Sequence, residues 1–270
     1  MTAATLESAP AQVAPRTAPA PIPFTRLMQV ELIKMFDTRA GYWLMVSIAA
    51  TAFIATASVI LFAPDSAMTY DNFGAAIGVP MTLLLPVMAI LSVTSEYTQR
   101  SGLTTFTLVP HRSRVIWAKM TVSMALGAVS IGVALAIGAL GNIVGSAIAG
   151  VDTVWDISGQ QIGYLVFANV LNLLIGFMLG VLIRTSTGAI VTYFILTFLL
   201  PTLFGLLAAS QQWFHDLQPW VDIQFAQSGL FVFDRALTAE QWANIAVTGI
   251  VWLVIPLLIG LRMVMRAEVK

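Results

Sequence analysis

Residues 95–120 of the chain read SEYTQRSGLTTFTLVPHRSRVIWAKM, and this stretch is the only long polar, charged segment between two strongly apolar runs. It carries one acidic residue and four basic ones, and Gly and Pro interrupt it. These residues are Glu96, Arg100, Gly102, Pro110, Arg112, Arg114 and Lys119. We call residues 95–120 the basic loop. A structured basic connection between two apolar runs predicts a docking surface on one side of the molecule.

Composition excludes several classes of protein. Hydrophobic residues make up 58% of the 270 positions and charged residues only 10%, whereas soluble domains carry about 25% charged residues. The formal net charge is zero, which argues against nucleic acid as a partner. The chain has no Cys, which excludes disulfides, thiolate nucleophiles and Cys-based metal sites.

Six apolar runs on either side of the basic loop are long enough to cross a bilayer, which takes about 20 residues each. Together they predict an all-α polytopic membrane protein, a transmembrane domain over residues 24–270. The runs lie at about 42–63, 75–94, 118–140, 162–183, 189–209 and 244–263.

The distribution of basic residues predicts the orientation of these spans. Of the 13 Lys and Arg residues, all but Arg235 fall in segments on the side of the two termini, and acidic residues prevail on the other side. Because cytoplasmic connections are enriched in Lys and Arg, we expect both termini to be cytoplasmic, in a multi-pass protein of the cell (plasma) membrane.

Two segments precede the first span. Residues 1–23 are rich in Ala and Pro, and such a segment buries too little surface to offset its ordering entropy, so we expect a disordered leader. Residues 24–39 predict an amphipathic helix lying in the cytoplasmic headgroup layer, an elbow helix with Glu31, Lys34 and Arg39. Glu31 falls inside its apolar stripe. Glu31 therefore needs a partner, either Lys34 or a basic residue of the basic loop, or else it reaches water.

Few polar groups lie inside the spans. Asn169 and Asn172 are one turn apart in the fourth span, where they hydrogen-bond other helices or contact a transported molecule. Pro86 and Pro201 are expected to bend the second and fifth spans, either as part of a gate or for ordinary packing. No ionised residue is placed clearly in mid-membrane, which argues against a transporter driven by a coupled ion.

Three GxxxG pairs permit close helix approach. They are Gly74 with Gly78, Gly141 with Gly145, and Gly176 with Gly180.

The connection at 210–243 is the longest on the external side and is crowded with aromatic residues. Aromatic side chains settle at the membrane–water interface, so we expect short external re-entrant helices before the last span. Thr238 followed by Gln241 matches a capping box, which predicts that the sixth spanning helix begins near Ala239.

Signatures of catalysis are missing. The sequence contains no HExxH, GxSxG or GxxxxGK[ST] motif, which removes the commonest zinc-protease, serine-hydrolase and P-loop sites. His111 and His215, the two histidines, are expected on opposite sides of the membrane. We therefore expect a chain that is not an enzyme, with no catalytic residue, no metal site and no ATP site of its own.

The chain resembles a known family, the membrane subunits (permeases) of ABC-2-type exporters. The segment VELIKMFDTRAGYW at 30–43 resembles the elbow of that family. In that family the loop after the second span carries Glu, a few polar residues, Gly, an apolar stretch, Pro, Arg and Lys. This pattern is met here by Glu96, Gly102, the apolar residues 103–109, Pro110, Arg112 or Arg114, and Lys119. The Pro- and Ala-rich leader and the lack of a large external domain depart from the pattern, and the latter argues against members that handle large polymers.

The resemblance implies a mechanism. Two copies of the chain, or this chain and a paralogous permease, would form a pathway, and two separate ABC ATPase subunits would bind ATP and Mg. A short helix of the basic loop would insert Leu103 and Phe106 into a groove of each ATPase. Glu96, Arg100, Arg112 and Arg114 would orient it through charge-assisted hydrogen bonds, unless these basic residues only enforce topology.

Spans rich in aliphatic, aromatic and Thr/Ser groups indicate an apolar or amphiphilic cargo (a drug, lipid or small hydrophobic peptide), and the resemblance implies that it is moved out of the cytoplasm. An ATP-independent channel or carrier and a non-transporting membrane scaffold are the alternatives.

Overall fold

The helical prediction is confirmed in the part of the chain that the structure describes. The structure is a computed structural model, and it describes residues 22–98, 112–232 and 236–266. These ranges contain six helices long and apolar enough to cross a membrane. They hold no β-strand, only an isolated bridge between Thr69 and Val154. The chain is therefore an all-α, multi-pass membrane protein.

Nine helices carry the fold of the described residues, and six of them are the candidate spans. The spans are α2 (Arg39–Phe62), α3 (Tyr70–Thr98), α4 (Arg112–Ala149), α5 (Gly159–Ile183), α6 (Ser186–Ser210) and α9 (Ala239–Arg266). The shorter helices are α1 (Phe24–Asp37), α7 (Gln212–Val221) and α8 (Ile223–Ser228), and single 3₁₀ turns lie at Asp65–Ala67 and Gly229–Phe231.

Helix ends follow local hydrogen bonding. Ser158 caps α5 and Thr238 caps α9, each in a capping box with the Gln three residues later, so the predicted start of the last span at Ala239 is confirmed. The third span is longer than the predicted 118–140. Its helix begins at Arg112 and ends at Ala149, just before Gly150, whose φ of +68° is in the left-handed region that favours glycine.

The centre of the bundle is built from α3, α4 and α5. Of the candidate spans α5 is the most buried, while α6 and α2 are the least buried and leave wide apolar surfaces exposed. Gly176 permits the closest contact between α5 and α3, because a Cβ there would lie 2.5 Å from the carbonyl oxygen of Pro86. Gly141 and Gly145 of α4 likewise permit a close contact, here with the side chain of Phe73 on α3. Two of the three GxxxG pairs therefore lie at helix contacts, whereas nothing lies within 4 Å of a Cβ added at Gly78.

Prolines interrupt the hydrogen bonding of the spans. Pro86 lies inside α3 and has no N–H to give to the carbonyl of Thr82. That carbonyl accepts instead from the hydroxyl of Tyr193 on α6, at 2.6 Å. In α6, Pro201 follows a π-helical turn at Ile195–Leu199, and α9 has a similar turn at Ile250–Val254. Such turns are typical places for a helix to change direction.

Candidate functional site

One end of the bundle collects the structural features that the sequence singled out. It is formed by α1, the last turn of α3, the first turns of α4, the α5–α6 connection and the last turns of α9. We call it the basic end, because Arg184, Arg262 and Arg266 lie there beside the ends of the basic loop.

Four charged side chains from three helices meet at the basic end. Lys34 Nζ of α1 lies 2.9 Å from Glu31 Oε1 and 3.1 Å from Glu96 Oε1 of α3. Lys119 Nζ of α4 contacts Glu31 Oε2 and lies 3.2 Å from Glu96 Oε1. Two carboxylates and two ammonium groups thus alternate around a ring with no net charge, which we call the ion cluster.

The ion cluster is largely withdrawn from solvent. Glu31, Glu96 and Lys119 are all buried, while the side chain of Lys34 is 40% exposed. Lys119 also donates to the carbonyl oxygen of Ser92, at 3.2 Å. A buried charge is costly unless opposite charges and hydrogen bonds compensate for its lost hydration. Each of the three buried groups has at least two such partners, so the arrangement is electrostatically satisfied.

Local sequence explains how α1 delivers Glu31 to this position. Leu27 and Glu31 are four residues apart and are the two buried residues of α1, so both lie on one face. Leu27 packs against Val115 and Ala118 of α4, one turn before Lys119. The apolar contact sets the rotation of α1, and Glu31 then faces Lys119.

The structure shows which partners Glu31 has, a question that the sequence left open. Both proposed partners are present, Lys34 along the helix and Lys119 from the basic loop, and the alternative that Glu31 reaches water is wrong. Burial lowers the pKa of Lys34, but hydrogen bonds and charges from Glu31 and Glu96 outweigh it and raise that pKa above its ordinary value. Lys34 is therefore charged at neutral pH.

A cavity of about 340 Å³ opens beside the ion cluster. Its polar wall is the cluster itself together with hydroxyl groups of α3 and Ser186 of α6. Its apolar wall includes Leu44, Met88 and Leu91. The combination of fixed charges and aliphatic surface suits a small amphiphilic molecule better than a purely apolar one.

The structure separates the predicted residues of the basic loop into three groups. Glu96 and Lys119 are buried in the ion cluster, where both contact side chains of α1, and their role in docking stays a prediction. Arg114 donates from Nη2 to the carbonyl oxygen of Ile22, at 2.8 Å, and Arg112 begins α4. Outside the described residues are Arg100, Gly102, Leu103, Phe106 and Pro110.

A second polar group joins α5 to the short helices before the last span. Asn172 Nδ2 donates to Gln227 Oε1 at 3.3 Å, and Gln224 Nε2 donates to Asn172 Oδ1 at 3.5 Å. Asn169 donates to the carbonyl of Leu165 in its own helix. These hydrogen bonds are what a packing role for Asn172 would require, and contact with a transported molecule stays the alternative prediction.

Sequence reasoning missed the buried partners of this group, Gln218, Asp222 and Gln227. Asp222 accepts from the backbone N–H groups of Gln224 and Phe225, at 3.0 and 3.2 Å, and so caps α8. The spacing of four residues between Gln218 and Asp222, within an otherwise aromatic segment, was the available signal.

The remaining predicted residues belong neither to the ion cluster nor to the polar group around Asn172. Arg39 lies at the exposed start of α2, and Pro201 lies within α6. Among the described residues, no group of three or more His, Asp or Glu side chains could hold a metal ion. No model of a known protein family matches the chain, and a search of curated proteins found no match.

Proposed function

We propose that this chain is the membrane subunit of an ATP-driven exporter, in which a separate ABC ATPase docks at the basic loop. Two permease chains, identical or paralogous, form the pathway, and each binds one ATPase subunit that holds ATP and Mg. Residues 24–37 serve as the elbow helix on the cytoplasmic face, and α7 and α8 dip into the outer leaflet. The cargo is apolar or amphiphilic.

The ion cluster is the observation that carries this proposal. It connects α1 to α3 and α4, the two spans that flank the basic loop, through the contacts of Glu31 with Lys119 and of Lys34 with Glu96. A force applied to the loop would therefore move three helices together. A buried, satisfied ionic network suits this purpose because breaking any one contact leaves an uncompensated charge.

The packing of α3 extends this connection into the membrane. Through Gly176, Pro86 contacts α5, and the Thr82 carbonyl that Pro86 leaves free is bonded by Tyr193 of α6. Displacement of α3 by an ATPase would thus reach α5 and α6. Closure of the ATPase subunits on ATP would then bias the spans between two arrangements.

A second candidate function is an ATP-independent carrier. The observation that favours it is the cavity beside the ion cluster, where Glu31 and Glu96 supply carboxylates that ion-coupled carriers commonly use. The two candidates differ in their energy source, and the same experiment separates them.

The test is co-purification and transport with a P-loop ATPase co-expressed with the chain. We expect the pair to purify together and to move an amphiphilic dye in vesicles only when ATP is supplied. Arg112→Glu/Arg114→Glu is expected to lower ATPase recovery by about tenfold or more, since charge reversal opposes docking. Membrane insertion is expected to be retained.

The matched control is Arg26→Glu/Arg39→Glu, which reverses two charges before and at the start of the first span and leaves the loop intact. It is expected to recover the ATPase at the wild-type level. Equal recovery in the two double variants would rule out docking at the loop. Transport by the chain alone, without nucleotide, would establish the carrier instead.

A further inference from the structure

A second cavity at the basic end is built almost entirely from cationic and apolar side chains. It is an open pocket of about 500 Å³ between the end of α5 and the last turns of α9. Its lining consists of Arg184, Ile259, Arg262, Met263 and Arg266, and none of the described acidic residues lines it. We call it the arginine pocket.

Arg184 is held in an unusual conformation at this pocket. It ends α5 with a φ of +62°, and its backbone N–H donates to the carbonyl of Gly180 at 3.1 Å. Residues other than glycine rarely adopt this left-handed conformation. The turn directs the guanidinium group to within 6.0 Å of the centre of the Tyr97 ring.

The guanidinium of Arg184 is only partly satisfied by the described residues. Its Nε and Nη2 atoms are buried, and neither has a hydrogen-bond partner among the described residues. Buried N–H groups of a charged side chain normally have acceptors. These two N–H groups therefore need an acceptor that the described protein groups do not supply.

The α9 wall of the pocket combines charge with hydrocarbon. Ile259, Arg262, Met263 and Arg266 follow the spacing i, i+3, i+4, i+7 and so share one face of the helix. All four are exposed. Arg266 lies at the end of the helix, whereas Ile259 lies two turns further into the span. From the helix end inward the order is Arg266, Met263, Arg262 and Ile259, which offers cations to a phospholipid headgroup and apolar side chains to its acyl chain.

We propose that the arginine pocket binds the phosphate of an anionic phospholipid, whose acyl chain lies along Ile259 and Met263. Arginine is suited to this role because its planar guanidinium donates two hydrogen bonds to phosphate oxygens. Basic pockets between spanning helices recognise anionic headgroups in this way. Simple enforcement of topology requires positive charge but not the left-handed turn at Arg184. The proposal does not depend on the exporter function.

The experiment measures lipid binding to the full chain in a neutral detergent, with phosphatidylglycerol and phosphatidylcholine of the same acyl chains as probes. We expect phosphatidylglycerol to bind about tenfold more tightly than phosphatidylcholine. Arg262→Gln/Arg266→Gln is expected to lower the phosphatidylglycerol affinity by about tenfold and to leave phosphatidylcholine binding unchanged. Arg184→Lys, which keeps the charge but loses the planar donors, is expected to give an intermediate loss.

The control Arg26→Gln/Arg39→Gln removes two charges outside the pocket and is expected to bind phosphatidylglycerol like the wild type. An equal loss in this control would show a general charge effect and overturn the proposal. Displacement of phosphatidylglycerol by inorganic phosphate at the same concentration would assign the pocket to a soluble anion instead.

Discussion

Glu31 shows how a carboxylate is accommodated on the buried face of a helix. It lies on the buried face of α1, where a carboxylate is tolerated only because Lys34 and Lys119 compensate for its lost hydration. Lys34 lies on α1 itself, so the pair with Lys119 is the one that ties Glu31 to α4. This pair adds to the apolar contact of Leu27 with α4.

Removal of Lys119 is expected to be strongly destabilising. Lys119→Gln leaves Glu31 and Glu96 facing each other with only the half-exposed Lys34 between them, and loss of one partner from a buried ion pair costs about 3–5 kcal/mol. The measurement is the free energy of unfolding in detergent.

Two further variants make this prediction specific. Glu31→Gln/Lys119→Gln removes one charge of each sign, so its cost is expected to be smaller than the sum of the two single costs. Arg39→Gln, at the exposed start of α2, is expected to change the unfolding free energy by less than about 0.5 kcal/mol. If Lys119→Gln costs no more than Arg39→Gln, the ion cluster does not hold α1 in place.

At the scale of the helices, close approach and interrupted hydrogen bonding occur at the same place. Pro86 leaves a carbonyl of α3 without its helical donor, and Gly176 of α5 lets the two backbones come together beside it. Tyr193 of α6 then supplies the missing donor. Three helices are thus joined at a point where α3 has fewer internal hydrogen bonds, which permits bending without breaking the contact.

Gly176→Ala is expected to destabilise the bundle by about 1–3 kcal/mol, because overpacking forces the surrounding backbone to shift. The added Cβ would lie 2.5 Å from the Pro86 carbonyl oxygen, a backbone atom that cannot rotate away. The thermal unfolding midpoint in detergent measures the effect.

Gly163→Ala is the matched control in the same helix. Nothing lies within 4 Å of a Cβ at that position, and Ala is the better helix former by about 1 kcal/mol. Its midpoint is therefore expected to stay constant or rise. Equal falls in the two variants would show that the loss of stability does not come from the contact with Pro86.

The whole molecule has two chemically different ends. Six crossings place both ends of the described chain on one side, and that side carries the ion cluster and the arginine pocket. The opposite end carries the aromatic-rich helices α7 and α8. Trp252 of α9 donates to the carbonyl of Val221, the last residue of α7, at 2.7 Å and so joins the two helices. This asymmetry suits a protein that receives energy on one face and covers its pathway on the other.

Orientation is tested with single cysteines, since the chain has none of its own. Asp152→Cys lies in the exposed connection between α4 and α5 and is expected to react with an impermeant maleimide added to intact cells. Arg26→Cys, at the basic end, is expected to react only after the membrane is opened. The excess of basic residues on one side is the physical reason. The reverse pattern of labelling would place the basic end outside and refute the docking proposal.

Local chemistry accounts for what could be read from the sequence alone. Hydropathy defined six spans, the pair Thr238 and Gln241 defined the start of the last one, and a carboxylate within an apolar stripe showed that Glu31 needs a partner. Each of these inferences depends on residues within a few turns of one another, and composition and periodicity report such relations directly.

Only the tertiary structure decided which residues meet. It placed Lys119 inside the ion cluster, selected Gly176 rather than Gly78 for close contact, and assembled the arginine pocket from α5 and α9. The physical reason is that a span apolar on all sides gives no sign of its rotation. The rotation and crossing of such helices are set by packing between segments far apart in the chain, which periodicity within one segment does not record.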